Sequence, residues 1–176
     1  MNLWHDIPTG SADELNVIIE IPAGSSNKYE LDKDTGLIRL DRVNYGPTHY
    51  PTNYGFIPQT LWDDGDAIDA LVISTFPFHP GVLVPTRPVG IMKMNDGGES
   101  DDKIIGVPVE DRRLEHIKDI GDLNQHTLRE IKLFFETIKQ LKGKPVEVKV
   151  EGFEGTAEAK RALEHSLELY KQKFGK

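Results

Sequence analysis

A short acidic stretch restricts what this chain can fold into more than any other feature. Four aspartates fall within residues 63–69, and the apolar segment 70–73 follows them directly. Carboxylates repel one another and are costly to bury, so several of them at the mouth of a buried strand need a cation among them. A divalent metal ion is the simplest such cation, and carboxylate oxygens suit Mg²⁺ or Mn²⁺. Because the chain has no cysteine, the thiolate sites that zinc often uses are excluded.

The spacing within this stretch favours a turn over a straight strand. Asp64 and Asp66 share one face of an extended chain, whereas Asp69 lies an odd number of positions further on. Gly65 allows the chain to turn and to correct this mismatch. A calcium-binding loop counted from Asp64 is excluded, because Asp69 stands where that loop needs glycine and Thr75 where it needs glutamate. A solvated acidic turn on the surface is the alternative.

A second acidic loop, residues 95–103, precedes the apolar segment 104–109. Taken alone, it is typical of a flexible solvated turn in which Lys103 is an ordinary surface residue. It nevertheless repeats the arrangement of the first stretch, with carboxylates beside a predicted strand. Two such loops on one small domain predict a shared metal site.

The bulk composition limits the class of protein. A chain of 176 residues fits one domain, so a single catalytic domain, residues 1–176, is expected. The net charge of −8 argues against binding to nucleic acid or to an anionic membrane, since both depend on basic surfaces. The first residues lack the regions of a signal peptide, and no apolar run reaches membrane-spanning length. Together with the absence of cysteine, these features predict a cytoplasmic protein.

Periodicity and turn signals predict a mainly β fold with two main helices in the C-terminal half. Pro85 and Pro88 interrupt one predicted strand, which is expected to be bent or to lie at an edge. Predicted strands occupy residues 15–21, 27–32, 37–43, 71–75, 82–94, 104–109 and 145–150. Predicted helices run over residues 127–141, with Leu141 on the buried stripe, and from an N-cap at Thr156 to Gly175, with Leu167 on the stripe.

Three residues have two interpretations each when their segments are considered alone. Glu20 either reaches solvent at a sheet edge or is held inside a site, and the edge is favoured. Arg42, on the face of Leu40, either extends its charge to solvent or clamps an anion, and the first is favoured. Tyr54 either packs over the core or offers its hydroxyl to a ligand, and packing is favoured. Lys28 is expected to form only a surface ion pair with Glu30.

Five stretches together resemble the soluble inorganic pyrophosphatases of family I, in their short prokaryotic form. They are residues 28–32, 40–43, 50–58 and 64–69, and the loop from Asp96 through Asp101 to Lys103. The resemblance covers essentially the whole chain. It implies a five-stranded OB-like β-barrel and hydrolysis of pyrophosphate to two orthophosphates by a metal-activated water. It also implies a homohexamer.

The resemblance implies a role for each matching site residue. Asp66 would be the catalytic residue that accepts a proton from the attacking water. The phosphate oxygens would be bound by Lys28, Arg42, Tyr54, Lys103 and Lys139. Several Mg²⁺ ions, or alternatively Mn²⁺ or other divalent ions, would be held by Asp64, Asp69, Asp96, Asp101, Glu30 and Glu20. The site would then hold about seven carboxylates and about four cations, and several Mg²⁺ with one pyrophosphate would bring it near neutrality.

The chain departs from the usual pattern of this family at three positions. Ala67 stands where proline is common, which is expected to loosen the loop between Asp66 and Asp69 without removing a ligand. Thr52 replaces a common alanine and is expected to change little. Ile138 occupies the position of a phosphate-binding tyrosine, and the lost hydroxyl is expected to weaken substrate binding by about 0.5 to 1.5 kcal/mol.

Two other functions compete with pyrophosphate hydrolysis. The first is an OB-fold binding module for nucleic acid or oligosaccharide, since that fold often has this use. The acidic net charge and the lack of a basic, aromatic-lined strand pattern argue against it. The second is a different metal-dependent phosphohydrolase that acts on nucleotides or phosphomonoesters. The sequence has no base-binding motif, so a small substrate is favoured.

Overall fold

Nine β-strands and two α-helices form the part of the chain that the computed structural model describes, residues 1–144 and 146–175. Two short 3-10 helices, Arg112–Leu114 and Ile120–Asp122, precede the first α-helix. The helices are α1, Gln125–Thr137, and α2, Thr156–Phe174. The strands are β1 Leu15–Ile21, β2 Asn27–Leu31, β3 Ile38–Val43, β4 Asn53–Phe56, β5 Asp69–Val72, β6 Leu83–Asp96, β7 Glu99–Ser100, β8 Lys103–Pro108 and β9 Val148–Gly155.

Five of these strands close into a ring. Strand β1 pairs with β4, β4 with β5, β5 with β8, β8 with β6, and β6 with β1. All of these pairs are antiparallel except β5 with β8, which run parallel. A closed ring leaves no unpaired edge among its own strands. The predicted fold, a mainly β chain with a five-stranded OB-like barrel and two helices, is confirmed.

Strand β6 is the longest and pairs with four other strands. Its first residues pair with β1, its middle with β8, and its second half with β9. The register against β8 shifts between Pro88 and Gly90, and such irregularities bend a strand. Of the two expectations for this proline-interrupted strand, the bend is therefore the one observed, and β6 is not an edge strand. Its last two residues pair with β7, which lies within the acidic loop that leads to β8.

The strands of the ring bury both of their faces. Successive residues Ala70 and Leu71 of β5 lie in different core clusters, as expected for the alternation of side chains along a strand. One cluster includes Leu128 and Ile131 of α1, and the other includes Ala159 and Leu163 of α2. The helices therefore cover opposite faces of the sheet.

Glycine is required where β4 crosses β1. A Cβ atom on Gly55 would lie 2.0 Å from the carbonyl oxygen of Ile18. Backbone atoms cannot move aside without breaking the pairing of the two strands. This close approach keeps β4 tightly paired and holds the neighbouring Tyr54 against the cavity described below.

Helix α1 differs from its prediction at both ends. It begins two residues earlier than predicted, because Asn124 is its N-cap and accepts a hydrogen bond from the backbone of His126 at 2.9 Å. It ends at Thr137, where residues 138–142 turn away from the helix axis. Leu141, predicted to be buried, is therefore 68% exposed.

Helix α2 ends as predicted but begins differently. Gly175 has a φ of +69°, the left-handed conformation that terminates many helices. Thr156 is not the N-cap but the first helical residue, and its backbone N–H and hydroxyl both donate to Asp119, at 2.7 and 2.8 Å. Leu167, predicted to face the core, is 36% exposed, whereas Ser166 is fully buried.

Several strand boundaries also differ from the predictions. Strand β5 begins and ends earlier than the predicted 71–75 segment, and β6 extends two residues beyond 94. The predicted strand 145–150 begins only at Val148 and continues to Gly155, while Pro145 lies outside the described residues. Within the described ranges, neither helix is long and apolar enough to cross a membrane.

The contact between Asp119 and Thr156 predicts acid-sensitive stability. The hydrogen bond from the backbone of Thr156 holds the pKa of Asp119 below its usual range. A carboxyl whose pKa is lower in the folded state stabilises the fold above about pH 4 and loses that effect as the pH falls through the folded-state pKa. We expect Asp119→Asn to lower the melting temperature by about 2–4 °C near neutral pH.

The difference in melting temperature between the wild type and Asp119→Asn should shrink as the pH falls toward about 3. Thermal unfolding of both proteins across this range measures it. Asp13→Asn, at a carboxylate whose side chain is 84% exposed, is the matched control and should change little at any pH. A difference that stays constant with pH would show that the charge of Asp119 is not involved.

Candidate active site

One cavity of about 570 Å³ brings together all twelve side chains that the sequence and the resemblance single out. Strand β1, the β2–β3 hairpin and β4 supply Glu20, Lys28, Glu30, Arg42 and Tyr54. The two acidic loops supply Asp64, Asp66, Asp69, Asp96, Asp101 and Lys103, and the segment after α1 supplies Lys139. The cavity therefore forms where distant segments of the chain meet.

The first acidic stretch forms a tight turn at the entrance to β5. Gly65 has a φ of +90°, a conformation that favours glycine. The backbone of Trp62 closes the turn, since its N–H donates to the Asp66 carbonyl at 2.6 Å and its own carbonyl accepts from Gly65 at 3.0 Å. Asp64 accepts the backbone N–H of Asp66 at 3.1 Å. Asp69 is the first residue of β5, so it is held by the sheet and not by the turn.

Lys103 lies at the centre of the site. The parallel pairing of β5 with β8 places Lys103 opposite Asp69. Its ammonium group donates to Asp69 at 2.7 Å and to Asp101 at 2.8 Å, and the side chain is 2% exposed. Lys103 is therefore not the surface residue that its own loop suggests. Burial alone would lower the pKa of Lys103, but Asp69 and Asp101 outweigh it and raise the pKa above its usual range.

Tyr54 packs over the core, as favoured, and its hydroxyl also lies within the site. Its ring lies edge-on to Tyr50, with centroids 5.8 Å apart, so it packs within the core. Its hydroxyl also donates to Asp69 and accepts from Lys103 at 3.3 Å. Burial, reinforced by the negative charge of Asp69, raises the pKa of Tyr54 well above its usual range, and the hydroxyl stays protonated.

Glu20 is buried, contrary to the edge position that its segment favours. It is 8% exposed and accepts the backbone N–H of Leu31 at 2.7 Å. Burial raises the pKa of Glu20 to about 8, and the charge of nearby Asp69 adds to the increase. A carboxyl in this setting gains from any cation that enters the cavity.

The β2–β3 hairpin places a charged face over the cavity. Lys28 donates to Glu30 at 3.2 Å and to Asp41 at 3.0 Å, and Arg42 donates to Asp41 at 2.9 Å. A bulge in the pairing interrupts the alternation along β3, so Leu40 is 50% exposed whereas Arg42 lines the cavity. The expected ion pair of Lys28 with Glu30 is present, but Lys28 lines the cavity and is partly buried. Arg42 lines the cavity as well and does not extend freely into solvent.

The segment after α1 closes another side of the cavity. The ammonium group of Lys139 contacts Asp96 directly. Ile138, next to it, is buried and also lines the cavity. Ile138 therefore points an alkyl group where the resemblance leads one to expect a tyrosine hydroxyl.

The cavity also contains residues that the sequence did not indicate. Lys33 contacts Asp66 directly and lies 4.9 Å from the centre of the Trp4 ring. Arg39 pairs with Asp32 at 3.3 Å and with Glu30 at 3.8 Å. Lys33 follows the end of β2 at the hairpin turn, outside any alternating pattern, so only its place beside the 28–32 motif could have indicated it.

Negative charge exceeds positive charge in the cavity. Among the described residues, nine carboxylates and six cationic side chains line it. Because Asp69 and Asp101 share one buried ammonium group, their charges are not fully balanced, and burial raises the pKa of Asp101 to about 6. Burial also raises the pKa of Asp64. The cavity thus has an affinity for further cations.

The chemistry of the donor set fits a hard divalent ion, since carboxylate oxygens dominate it. Within residues 1–144 and 146–175, no hydrogen bond uses Asp69 Oδ1, Asp101 Oδ2 or Asp64 Oδ2. In this conformation, however, no three aspartate, glutamate or histidine side chains of the described ranges converge on one point. Lysines hold several carboxylates instead, so ion binding requires these side chains to rearrange. Such a cavity suits an enzyme of metal-assisted phosphoryl transfer.

Comparison with known proteins identifies the family. A model of the family described as inorganic pyrophosphatase matches residues 17–171. The inorganic pyrophosphatase of Haloferax volcanii is 49% identical over 99% of both chains. That of Geobacillus stearothermophilus is 46% identical over 90% of this chain and 94% of the relative. The crystal structure of inorganic pyrophosphatase from Thermus thermophilus has a TM-score of 0.93 and 46% identity, covering 97% of this chain and 99% of that one.

This chain belongs to the inorganic pyrophosphatase family. Enzymes of this family depend on metal ions. The family therefore matches the resemblance seen in the five sequence stretches, and its metal dependence matches the excess of carboxylates in the cavity.

The burial of Lys103 predicts a large loss of stability when its charge is removed. We expect Lys103→Met to lower the free energy of unfolding by about 3–5 kcal/mol, because Asp69 and Asp101 lose their buried cation. Urea denaturation without metal measures it. Lys160→Met, which removes an exposed pair with Asp13, is the matched control and should cost less than about 1 kcal/mol. Equal losses in the two variants would contradict a special role of Lys103.

Proposed function

We propose that this cavity is the active site in which the chain hydrolyses pyrophosphate to two orthophosphates. The observation that carries the proposal is the meeting of both acidic loops around Lys103, with the cations of the hairpin and of the segment after α1 on the same cavity. Pyrophosphate is small and highly charged, so its hydrolysis depends on positioning and on neutralisation of charge. A cavity with mixed charge and an excess of carboxylates supplies both.

Divalent cations would be held by the carboxylates of the cavity: Asp64, Asp69, Asp96, Asp101, Glu30 and Glu20. Mg²⁺ is proposed as the resident ion, several per site, with Mn²⁺ or another divalent ion as a substitute. When bound, such ions neutralise phosphate oxygens and lower the pKa of a water molecule from about 15.7 toward about 7. The free oxygens of Asp69 and Asp101 support this assignment, as does the raised pKa of Glu20.

The cationic side chains would bind the phosphate oxygens. Lys28, Arg42, Lys103 and Lys139 donate charge-assisted hydrogen bonds, which are the strongest kind available to a phosphate group. Each of the four is now paired with a carboxylate. The protonated hydroxyl of Tyr54 would add a neutral donor.

Asp66 would accept the proton of the attacking water. It lies in the tight turn between Asp64 and Asp69 and is more exposed than either Asp69 or Asp101, so it can reach a water molecule. Its partner Lys33 would have to release it for this role. Ala67 follows it without constraint from proline, and its amide N–H donates to no acceptor among the described residues.

The two competing functions receive less support. A binding module for nucleic acid would need a basic surface, yet the net charge is −8. A hydrolase of larger phosphate esters would need further groups that recognise the remainder of the substrate. The family membership favours pyrophosphate over both.

Three further properties belong to the same proposal. We propose that residues 1–176 act as one catalytic domain and that the protein works in the cytoplasm as a homohexamer. Large apolar side chains on the surface support self-association: Leu37, Leu40, Val43, Phe76, Leu133 and Leu141 are each at least half exposed. The family resemblance supports the number of subunits.

Phosphate release from three substrates tests the proposed activity. With Mg²⁺ present, we expect pyrophosphate to be hydrolysed at least about 100-fold faster than ATP or a phosphomonoester, because the densely charged lining of the cavity matches a small, highly charged anion. Chelation of the metal should abolish turnover. Similar rates on all three substrates would contradict the proposal.

Two neighbouring substitutions test the role of Asp66. Asp66→Asn removes the proton acceptor and should lower kcat by about 10²- to 10⁴-fold without loss of the fold. Ala67→Pro restores the residue common in the family and should change kcat by less than about tenfold, because the Ala67 amide is not needed as a donor. Steady-state kinetics and circular dichroism measure both effects. Similar activity in the two variants would show that Asp66 is not the base.

A further inference from the structure

Trp62 connects the two acidic loops through its side chain. Its indole Nε1–H donates to the hydroxyl of Ser100 at 3.3 Å. Ser100 directly precedes Asp101, and Trp62 lies two residues before Asp64. The indole is 6% exposed, so water does not readily replace this contact. Within residues 1–144 and 146–175, it is the one hydrogen bond between segments 62–68 and 95–101.

The backbone of the same residue shapes the first loop. The N–H of Trp62 donates to the Asp66 carbonyl at 2.6 Å, and its carbonyl accepts from Gly65 at 3.0 Å. Any displacement of Trp62 therefore moves the turn that carries Asp64 and Asp66. The backbone of Trp62 thus fixes the turn, and its indole connects the turn to Ser100, the neighbour of Asp101.

Helix α2 supports Trp62 from the outside. The ring of His165 lies edge-on to the indole, with centroids 5.4 Å apart. The same imidazole contacts the carboxylate of Asp63 at 3.0 Å. Trp62 also packs in the core cluster that contains Leu163. The indole is thus fixed on a rigid helix and has little freedom to follow a moving loop.

We propose that Trp62 is a positioning residue that sets the distance between Asp64 on the 62–68 turn and Asp101 on the second acidic loop through its hydrogen bond to Ser100. This inference rests on the proposed metal-binding function of the cavity. An indole N–H can only donate, and a serine hydroxyl can accept, so the contact has one direction. Without it, no direct hydrogen bond would join the 95–101 loop to the 62–68 turn. Asp64 would then be held relative to Asp101 only indirectly, through the pairing of β5 with β8 and through Lys103.

Ordering a loop at the moment of binding weakens affinity without removing a ligand. Loss of supporting contacts around metal ligands commonly weakens metal binding by about 10- to 100-fold, and loss of one neutral hydrogen bond by about two- to tenfold. Because β5 holds Asp69 independently of Trp62, we expect the smaller of these two effects. The affinity for the metal ion should fall about five- to tenfold.

The test measures Mn²⁺ binding to the full chain without substrate, by titration calorimetry and by the electron spin resonance signal of free Mn²⁺. Trp62→Phe removes the N–H donor and keeps a buried ring, and Ser100→Ala removes the acceptor and leaves the indole in place. Each should raise the Kd of the tightest Mn²⁺ site about five- to tenfold, and the double variant should be no weaker than the weaker single variant. Wild-type Kd values in both single variants, or additive effects in the double variant, would overturn the proposal.

Two controls separate the possible failures. Asp119→Asn, which lowers stability away from the cavity, should leave the Kd for Mn²⁺ unchanged, so a rise there would mean that stability alone governs binding. Asp69→Asn should weaken Mn²⁺ binding severely, because it removes a proposed ligand. If Asp69→Asn binds Mn²⁺ normally, the proposed metal site fails. If Asp69→Asn loses Mn²⁺ binding while Trp62→Phe and Ser100→Ala bind Mn²⁺ as tightly as the wild type, only the positioning role of Trp62 fails.

Discussion

The structure depends on a buried ammonium group held between two carboxylates. Lys103 is almost completely inaccessible to water and contacts both Asp69 and Asp101. A buried charge of this kind is tolerated only when partners surround it, and removal of one partner is strongly destabilising. The parallel pairing of β5 with β8 supplies these partners. It places Asp69, at the end of the first acidic stretch, opposite Lys103, the first residue of β8. The barrel is therefore closed at the place where its charges must be balanced.

This balance is incomplete, and the imbalance is what gives the cavity its function. Carboxylates outnumber cations among the described lining residues, and burial raises the pKa values of Glu20 and Asp101, with the charge of Asp69 adding to both increases. Without bound metal, the lysines of the cavity neutralise its carboxylates. When divalent ions bind the carboxylates instead, the lysines become available to bind phosphate oxygens. Local charge repulsion thus lowers stability but prepares the site for cations and for a highly charged anion. Functional sites commonly depart from the most stable arrangement in this way.

Much of the fold is predictable from periodicity and turn residues. Four of the five barrel strands and both helices lie near their predicted positions, because alternation and three-four spacing report which side of an element is buried. Strand β4, Asn53–Phe56, is not among the predicted strands, because it is short and lies in a segment rich in glycine and proline. The ends of the two helices were less predictable. Asn124 competes with Thr127 as a helix start, Asp119 takes over the capping of α2, and the chain leaves α1 before Leu141. Each of these outcomes depends on a contact or a turn that periodicity alone does not report.

By itself, the sequence determined the kinds of residue available to the site and the local shape of its first loop, since Gly65 and the surrounding aspartates act over a few positions. The family resemblance added the roles. Only the tertiary structure decided that Glu20 is buried, that Lys103 lies between Asp69 and Asp101, and that Lys33 faces Asp66. The reason is the distance along the chain. Lys103 and Asp69 are 34 positions apart and Lys33 and Asp66 are 33 apart, so these contacts exist only once the chain has folded back on itself and the barrel has closed.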